Sequence, residues 1–283
     1  MFTTINNYVN VLKPRETSLL AFIGAATAFV AARGVPPWDR LLLATVTILI
    51  ASAAANGFTN YLDRHIDSLM PRTQNRALAA KRIDPAKKVL PMLFILAAAG
   101  LALAWIIHPY VFLADLIGTI VAVTFRKRVT CVFPQGAIAS CAPILMGWFA
   151  ITPTFNWQIA LICLMIIVWL PSHVWGVMIA RRDEYIKAGL TFFPMSISLQ
   201  TGISLMVFFG ILLFLTSIAL YFLGDFGWLY FSGAIILGTT LLLSSFRLLK
   251  TSDSADAWRV YKISSFPYLG LIFLLMVLDL LLL

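Results

Sequence analysis

The sequence contains few charged residues and few cysteines. Asp, Glu, Lys and Arg make up 12% of its 283 residues, whereas a soluble domain carries about 25%, so the composition argues against a soluble globular fold. The three cysteines are an odd number and lie in apolar segments. They give no support to a disulfide framework and are typical of buried thiols.

Acidic residues are scarcer than basic ones, at 12 against 21, and the formal net charge is +9. A basic excess can indicate nucleic-acid binding. In an apolar chain, however, it is typical of cytoplasmic loops beside anionic lipid, or of an anionic substrate. We therefore predict a lipid bilayer as the surroundings of this chain and no nucleic-acid partner.

Long apolar runs make up most of the chain. Hydrophobic residues are 61% of the sequence, the mean hydropathy is +0.92, and a membrane-crossing helix needs roughly 20 apolar residues. The runs are continuous rather than alternating in polarity, which favours helices over a membrane barrel. The sequence predicts an all-α, polytopic transmembrane helical bundle, a single domain over residues 1–283 with about nine spans at 17–33, 40–60, 88–107, 109–125, 132–151, 157–180, 197–223, 227–248 and 263–282.

The basic residues indicate how these spans are oriented. All of them except Arg33 and Arg40 lie in the N-terminal segment or in the loops after even-numbered spans. Lys and Arg concentrate in cytoplasmic loops, so we predict an integral cell-membrane protein whose N-terminus is cytoplasmic. The loops after spans two and six are long, and long connections are usually functional.

A stripe of polar side chains ends the second span, in the stretch A-N-G-F-T-N-Y-L-D-R-H-I-D. At about 100° per helical residue, four of them share one face: Asn56, Asn60, Asp63 and Asp67. Carboxylates one turn apart repel each other, and a bound Mg²⁺ would remove that repulsion while also holding substrate phosphate oxygens. The alternative is a solvated helix end whose aspartates pair with Arg64 and other local cations. The single stripe favours the metal site.

Basic residues near the acidic ones indicate a diphosphate site. Arg offers bidentate donors to phosphate oxygens, and two arginines follow the aspartate stripe directly. A second acidic cluster, R-R-D-E-Y-I-K-A-G, follows the sixth span, where Asp183 is a candidate second metal ligand. Positive-inside topology and a solvated second loop are the alternatives. The candidate diphosphate ligands are Arg72, Arg76, Lys127, Arg128, Arg182 and Lys187.

One histidine lies well inside a predicted span. His173 belongs to the stretch W-L-P-S-H-V-W, nearly three helical turns before the second acidic cluster. Ionisable residues within the membrane are functional candidates, and a packed, hydrogen-bonded ring is the alternative. Asp115 and Asp279 also lie within spans, and we assign them no role.

These stretches resemble the UbiA superfamily of intramembrane prenyltransferases and, within it, the branch of protoheme IX farnesyltransferases. The aspartate motif N-Y-L-D-R-H-I-D-S-L-M-P-R-T at 60–73 is specific to the superfamily. The histidine stretch at 169–175 and W-R-V-Y-K-I-S-S-F-P-Y-L-G-L-I-F-L-L-M-V-L-D at 258–279 indicate the heme branch. L-K-P-R-E-T at 12–17 and the acidic stretch at 181–189 also match.

The resemblance implies a bundle around a central cavity, with polar caps over an active site at the cytoplasmic side. It implies Mg²⁺ at Asp63 and Asp67, supported by Asn60 and Asp183. The implied reaction transfers farnesyl from farnesyl diphosphate to a vinyl group of heme B, with addition of water, and His173 would contact the heme iron or a propionate. The alternatives are prenyl transfer to a quinone precursor or a glycerophosphate lipid and, in a different class, a membrane transporter.

Overall fold

The described part of the chain is built from helices alone. The computed structural model describes residues 2–124, 135–190, 193–194 and 196–283, which contain no strand. A 3₁₀-helix spans Ala86–Val89, and a π-helical segment spans Ser264–Gly270. The prediction of an all-α fold is confirmed. The α-helices in these residues are α1 (Phe2–Val11), α2 (Pro14–Ala32), α3 (Trp38–Asp67), α4 (Leu90–Ile107), α5 (Pro109–Thr124), α6 (Gln135–Phe149), α7 (Trp157–Ala180), α8 (Arg182–Lys187), α9 (Leu199–Leu223), α10 (Trp228–Thr251), α11 (Ser254–Ile263) and α12 (Leu271–Leu282).

Each predicted span falls on an apolar helix. Among the described residues, seven helical stretches are long and apolar enough to cross a membrane: Pro14–Ala32, Trp38–Asp67, Ala86–Ile107, Trp157–Ala180, Leu199–Leu223, Trp228–Thr251 and Ser254–Leu282. The fourth and fifth predicted spans fall on the shorter apolar helices α5 and α6. Seven helices of spanning length are therefore established, whereas the count of nine stays a prediction.

Local sequence explains where several helices begin. Pro14 stands at the start of α2, where the missing N–H of proline leaves no helical hydrogen bond unmade. The Asn156 side-chain oxygen accepts a hydrogen bond from the Ile159 N–H at 3.1 Å and so caps α7. Ser198 caps α9 in the same way by accepting from the Thr201 N–H at 3.1 Å. These caps lie at the loop boundaries that the sequence predicts.

Small residues bring the helices around the polar stripe into close contact. A Cβ on Gly147 of α6 would collide with the Gly24 carbonyl oxygen of α2. A Cβ on Gly100 of α4 would lie 3.2 Å from the Ala51 Cα of α3. In lipid, close approach of helix backbones supplies the dispersion contacts that hold helices together. Helix α3 is thereby packed against α2 and α4, and α2 against α6.

A polar cap covers the end of the bundle at which α3 stops. It consists of α1 and residues 68–89, and its apolar interior includes Val11, Leu78 and Ile83. The Arg82 side chain joins its two parts, because Nε donates to Asn7 Oδ1 at 3.1 Å. The cap therefore places the N-terminal residues against the helix that carries the aspartates.

Candidate active site

Helix α3 continues beyond its apolar run as far as Asp67, so the whole polar stripe is helical. Its last three members are buried: the exposed fraction is 2% for Asn60, 9% for Asp63 and 0% for Asp67. A solvated helix end would leave these side chains in water. The three side chains are therefore packed within the protein and are not solvated.

Asp67 is held by the segment that follows it. Arg76 Nη1 donates to Asp67 Oδ2 at 2.7 Å, and the Thr73 hydroxyl donates to the Asp67 carbonyl oxygen at 2.9 Å. A buried carboxylate requires such partners because removing it from water is costly. The stretch M-P-R-T-Q-N-R therefore folds back over the aspartate and brings a guanidinium to the acidic face.

Asn60 presents a buried oxygen that has no hydrogen-bond partner among the described residues. Its Nδ2 donates to the Val11 carbonyl oxygen of α1 at 3.1 Å, which assigns the amide orientation. Its Oδ1 is buried and accepts no hydrogen bond from that part of the chain. An unsatisfied buried acceptor costs about 1–3 kcal/mol. A cation bound at this oxygen would remove that cost.

The donor set on α3 fits a hard cation such as Mg²⁺. Asn60, Asp63 and Asp67 supply oxygen atoms on successive turns of one helix face, and oxygen is the ligand atom that Mg²⁺ prefers. The residues in the described ranges contain no group of three or more His, Cys, Asp or Glu side chains that could hold a metal ion. Mg²⁺ does not require such a cage, because it keeps several waters and binds substrate phosphate oxygens.

An apolar cavity of about 200 Å³ lies beside the aspartate helix, between α2, α3, α5 and α6. Small side chains form most of its wall, and Asn56 and Thr59, which precede Asn60 on α3, belong to it. Asp115 of α5 also lines it and accepts a hydrogen bond from the Thr119 hydroxyl at 3.1 Å. The space therefore reaches the polar stripe and is otherwise suited to hydrocarbon.

The second acidic cluster forms α8 and lines a separate polar cavity of about 340 Å³. Asp183 and Lys187 are exposed. Glu184 instead accepts from Arg181 Nη1 at 3.2 Å through Oε1, while its Oε2 is buried without a partner in the described part of the chain. Arg182 Nη2 donates to the Ile197 carbonyl oxygen at 3.4 Å. The metal role of Asp183 stays a prediction, and the structure adds Glu184 as the more enclosed carboxylate of the pair.

His173 lies where α7 meets the kink between α11 and α12. Its ring stacks on Trp169, with centroids 4.6 Å apart and planes 17° apart. Its Nδ1 lies 3.3 Å from Ser265 Oγ and 3.5 Å from Ser264 Oγ. Ser264 and Ser265 belong to the C-terminal stretch and His173 to the histidine stretch, so the two sequence features that indicate the heme branch touch each other.

The family comparison identifies the kind of protein that carries this arrangement. The model of the UbiA prenyltransferase family matches residues 19–266. The chain belongs to the UbiA prenyltransferase family. Its relatives in this family include the protoheme IX farnesyltransferase of Desulforudis audaxviator, 30% identical over 282 residues, which cover 98% of this chain and 89% of that protein. The protoheme IX farnesyltransferase of Hahella chejuensis is 32% identical, with 96% and 93% covered.

Solved structures of UbiA-type proteins share the fold. A digeranylgeranylglyceryl phosphate synthase superposes with a TM-score of 0.79 at 18% identity and covers 99% of both chains. A UbiA homologue from Archaeoglobus fulgidus bound to GPP and Mg²⁺ gives a TM-score of 0.66 at 12% identity, with 98% of this chain and 100% of the other covered. At these identities the superpositions establish the UbiA fold and not the substrate.

The predicted diphosphate ligands are not all gathered in one place. Arg76 lies on the aspartate face through its bond to Asp67, whereas Arg72 is exposed. Arg182 lies at the second cavity. Lys127 and Arg128 lie outside the described residues. Their roles in diphosphate binding stay predictions.

Lys13 is a cation near the site that has no role in the sequence-based predictions. It stands between α1 and α2, and its Nζ donates to the Thr59 hydroxyl of α3 at 3.3 Å. The next residues of the same stretch reach α3 as well, because Asn56 Nδ2 donates to the Thr17 hydroxyl at 3.0 Å. The sequence indicated a role for this segment through the resemblance of L-K-P-R-E-T at 12–17 to the UbiA superfamily. Nothing within that stretch predicts a contact with α3.

Proposed function

We propose that this UbiA-family protein transfers the farnesyl group of farnesyl diphosphate to a vinyl group of heme B, with addition of water, and so produces heme O and diphosphate. The observation that supports prenyl transfer is a row of buried, oxygen-bearing side chains on α3, namely Asn60, Asp63 and Asp67. This row lies beside an apolar cavity. The preference for heme rests on relatives named protoheme IX farnesyltransferase at 30–32% identity over nearly the whole chain. The contact between His173 and the kinked C-terminal helix agrees with that preference.

We propose that residues 1–283 act as one transmembrane domain in the cell membrane, with the N-terminus and the active site on the cytoplasmic side. The N-terminal cap and the end of α3 then lie in the same compartment as most of the basic loops. A water-soluble diphosphate head group reaches the site from that compartment, while its apolar chain enters the bundle.

Asp63, Asp67 and Asn60 would hold Mg²⁺, with Asp183 as a further proposed ligand. When bound there, the ion neutralises charge on the diphosphate leaving group and helps its departure. Basic side chains would act as fixed donors for the negative charge that develops as the carbon–oxygen bond breaks. The donors proposed for this task are Arg72, Arg76, Lys127, Arg128, Arg182 and Lys187.

The apolar cavity beside α3 would receive the farnesyl chain. Its burial there is favourable, at about 0.8 kcal/mol for each methylene group removed from water. The same enclosure keeps water from the allylic cation until the vinyl group supplies its electron pair. The farnesyl C1 bonds to the outer vinyl carbon, water adds to the inner one, and the water loses one proton.

The test is an assay of purified protein with farnesyl diphosphate, Mg²⁺ and heme B. We expect a heme product whose mass exceeds that of heme B by one farnesyl group and one hydroxyl group. Product formed only with a quinone precursor or a glycerophosphate lipid would contradict the heme assignment while preserving prenyl transfer. Solute flux in liposomes that does not depend on Mg²⁺, without any prenylated product, would indicate a transporter instead.

Replacing Arg76 with Lys should lower kcat/KM for farnesyl diphosphate about tenfold, because Lys cannot form the bidentate contacts of a guanidinium with phosphate oxygens. Arg76 is already directed at the acidic face by its contact with Asp67. The measurement is steady-state transfer with varied farnesyl diphosphate and saturating heme B. Arg40→Lys is the matched control, since Arg40 lies at the opposite end of α3. Equal effects of the two changes would remove Arg76 from the proposed site.

A further inference from the structure

The hydrogen bonds around His173 determine which ring nitrogen carries its proton. Only Nδ1 of this ring has hydrogen-bond partners among the described residues, and both are serine hydroxyls, at 3.3 Å (Ser265) and 3.5 Å (Ser264). A hydroxyl can donate one hydrogen and can also accept. The protonation of Nδ1 therefore follows from where those two hydrogens point.

Both serine hydroxyls direct their hydrogens to the same backbone oxygen. Ser265 Oγ donates to the Tyr261 carbonyl at 2.7 Å, and Ser264 Oγ donates to it at 2.9 Å. These contacts are shorter than those to the imidazole, so the hydroxyls keep their hydrogens for the carbonyl and offer lone pairs to the ring. Nδ1 must then be the donor, and a neutral imidazole that carries hydrogen on Nδ1 has a lone pair on Nε2.

The kink in the C-terminal helix allows both serine hydroxyls to contact His173 Nδ1. Residues Ser264–Gly270 form a π-helical segment, and Ser265 has a ψ of −133°, which is not helical. Neighbouring residues of a regular helix point about 100° apart, whereas here two consecutive hydroxyls reach one nitrogen of α7. The same turn is fixed to α7 by Trp169, whose Nε1 donates to the Ser264 carbonyl oxygen at 2.6 Å.

We propose that Ser265, together with Ser264, is a positioning residue that holds His173 as the Nδ1–H tautomer, so that Nε2 ligates the iron of the bound heme. This inference rests on the proposed function and decides between two modes of heme contact. An Nε2 lone pair binds iron, as in other heme proteins with a histidine ligand. It cannot donate a hydrogen bond to an ionised propionate. A hydrogen bond from the other ring nitrogen also orients a ligating imidazole and raises its basicity.

The experiment compares two porphyrins that differ only in the metal. Heme B and metal-free protoporphyrin IX carry the same propionates and vinyl groups, and each is titrated into the full-length protein in detergent. We expect His173→Ala to weaken heme binding by more than about tenfold and to leave the Kd of the metal-free porphyrin unchanged. Equal losses for both porphyrins, or no loss for either, would overturn iron ligation. His108→Ala is the control, because His108 lies between α4 and α5 and its Nδ1 accepts from the Tyr110 N–H.

Ser265 provides a second readout that does not depend on transfer activity. We expect Ser265→Ala to shift the absorption band of bound ferric heme and to raise its Kd by up to about tenfold, with a larger change when Ser264→Ala is added. Ser265→Thr keeps the hydroxyl and should restore the wild-type spectrum. A double variant with the wild-type spectrum would contradict the positioning role. Farnesyl transfer by the wild type is assayed in parallel, so that failure of this inference is separated from failure of the proposed function.

Discussion

Asp63→Asn and Asp67→Asn should each lower kcat/KM for farnesyl diphosphate by about 1,000-fold, at the upper end of the loss found when one electrostatic stabiliser of a transition state is removed. Both carboxylates are buried on the same face of α3. An amide of similar size removes one negative charge from the cation site and changes the packing little. Transfer assays over a range of Mg²⁺ concentrations measure the effect, and chelation of divalent cations should abolish wild-type activity with recovery on adding Mg²⁺.

Asp39→Asn is the matched control for these two variants. Asp39 lies in the first turn of the same helix and is exposed, so the same change there should leave transfer unaltered. Thermal unfolding in detergent establishes that the site variants remain folded. In Asp67→Asn the new amide oxygen can still accept a hydrogen bond from Arg76. Activity within a few-fold of wild type in both folded variants would refute the metal assignment.

The aspartate face was predictable because helical periodicity depends only on local sequence. Positions 56, 60, 63 and 67 share one face in any regular helix, and the structure continues α3 through all of them. Their burial required a further fact, namely that a cap packs over this end of the helix. The sequence indicated the cations of the cap but not the contact by which Asn60 reaches Val11.

The remaining features of the site depend on contacts between distant parts of the chain. Lys13 meets Thr59 across 46 positions, and His173 meets Ser265 across 92. Periodicity carries no information about such pairs. At the second acidic cluster the sequence singled out Asp183, yet neighbouring positions on a short helix point in different directions, and the fold turns Glu184 inward instead.

The ion pair between Arg76 and Asp67 has a consequence for substrate binding. Asp67 is fully buried and Arg76 is its partner at 2.7 Å. In the proposed function, a cation that binds the Asp67 carboxylate would leave the Arg76 guanidinium able to turn to phosphate oxygens, for which its planar donors are suited. The same arginine would then stabilise the buried acid before substrate binding and support the diphosphate afterwards.

The cavity beside α3 has a wall that can be altered without touching the aspartates. Ser52 lines it from α3 and stands eight residues before Asn60, about 12 Å farther from the capped end of that helix. Leu49, about one turn earlier, is 41% exposed and is not among the residues that line the cavity. A phenyl ring at 52 would occupy much of the far end of a volume of about 200 Å³, whereas the same ring at 49 would lie outside it.

Ser52→Phe should therefore reduce farnesyl transfer by roughly 100-fold relative to geranyl transfer, because the last isoprene unit can no longer be buried. Five carbons at about 0.8 kcal/mol each set an upper limit of about 4 kcal/mol, and each 1.4 kcal/mol is a factor of about ten. The measurement is the ratio of kcat/KM for farnesyl and geranyl diphosphate, with Leu49→Phe as the control that leaves the ratio unchanged. If Ser52→Phe lowers kcat/KM equally for both substrates, or for neither, the farnesyl chain lies elsewhere in the bundle.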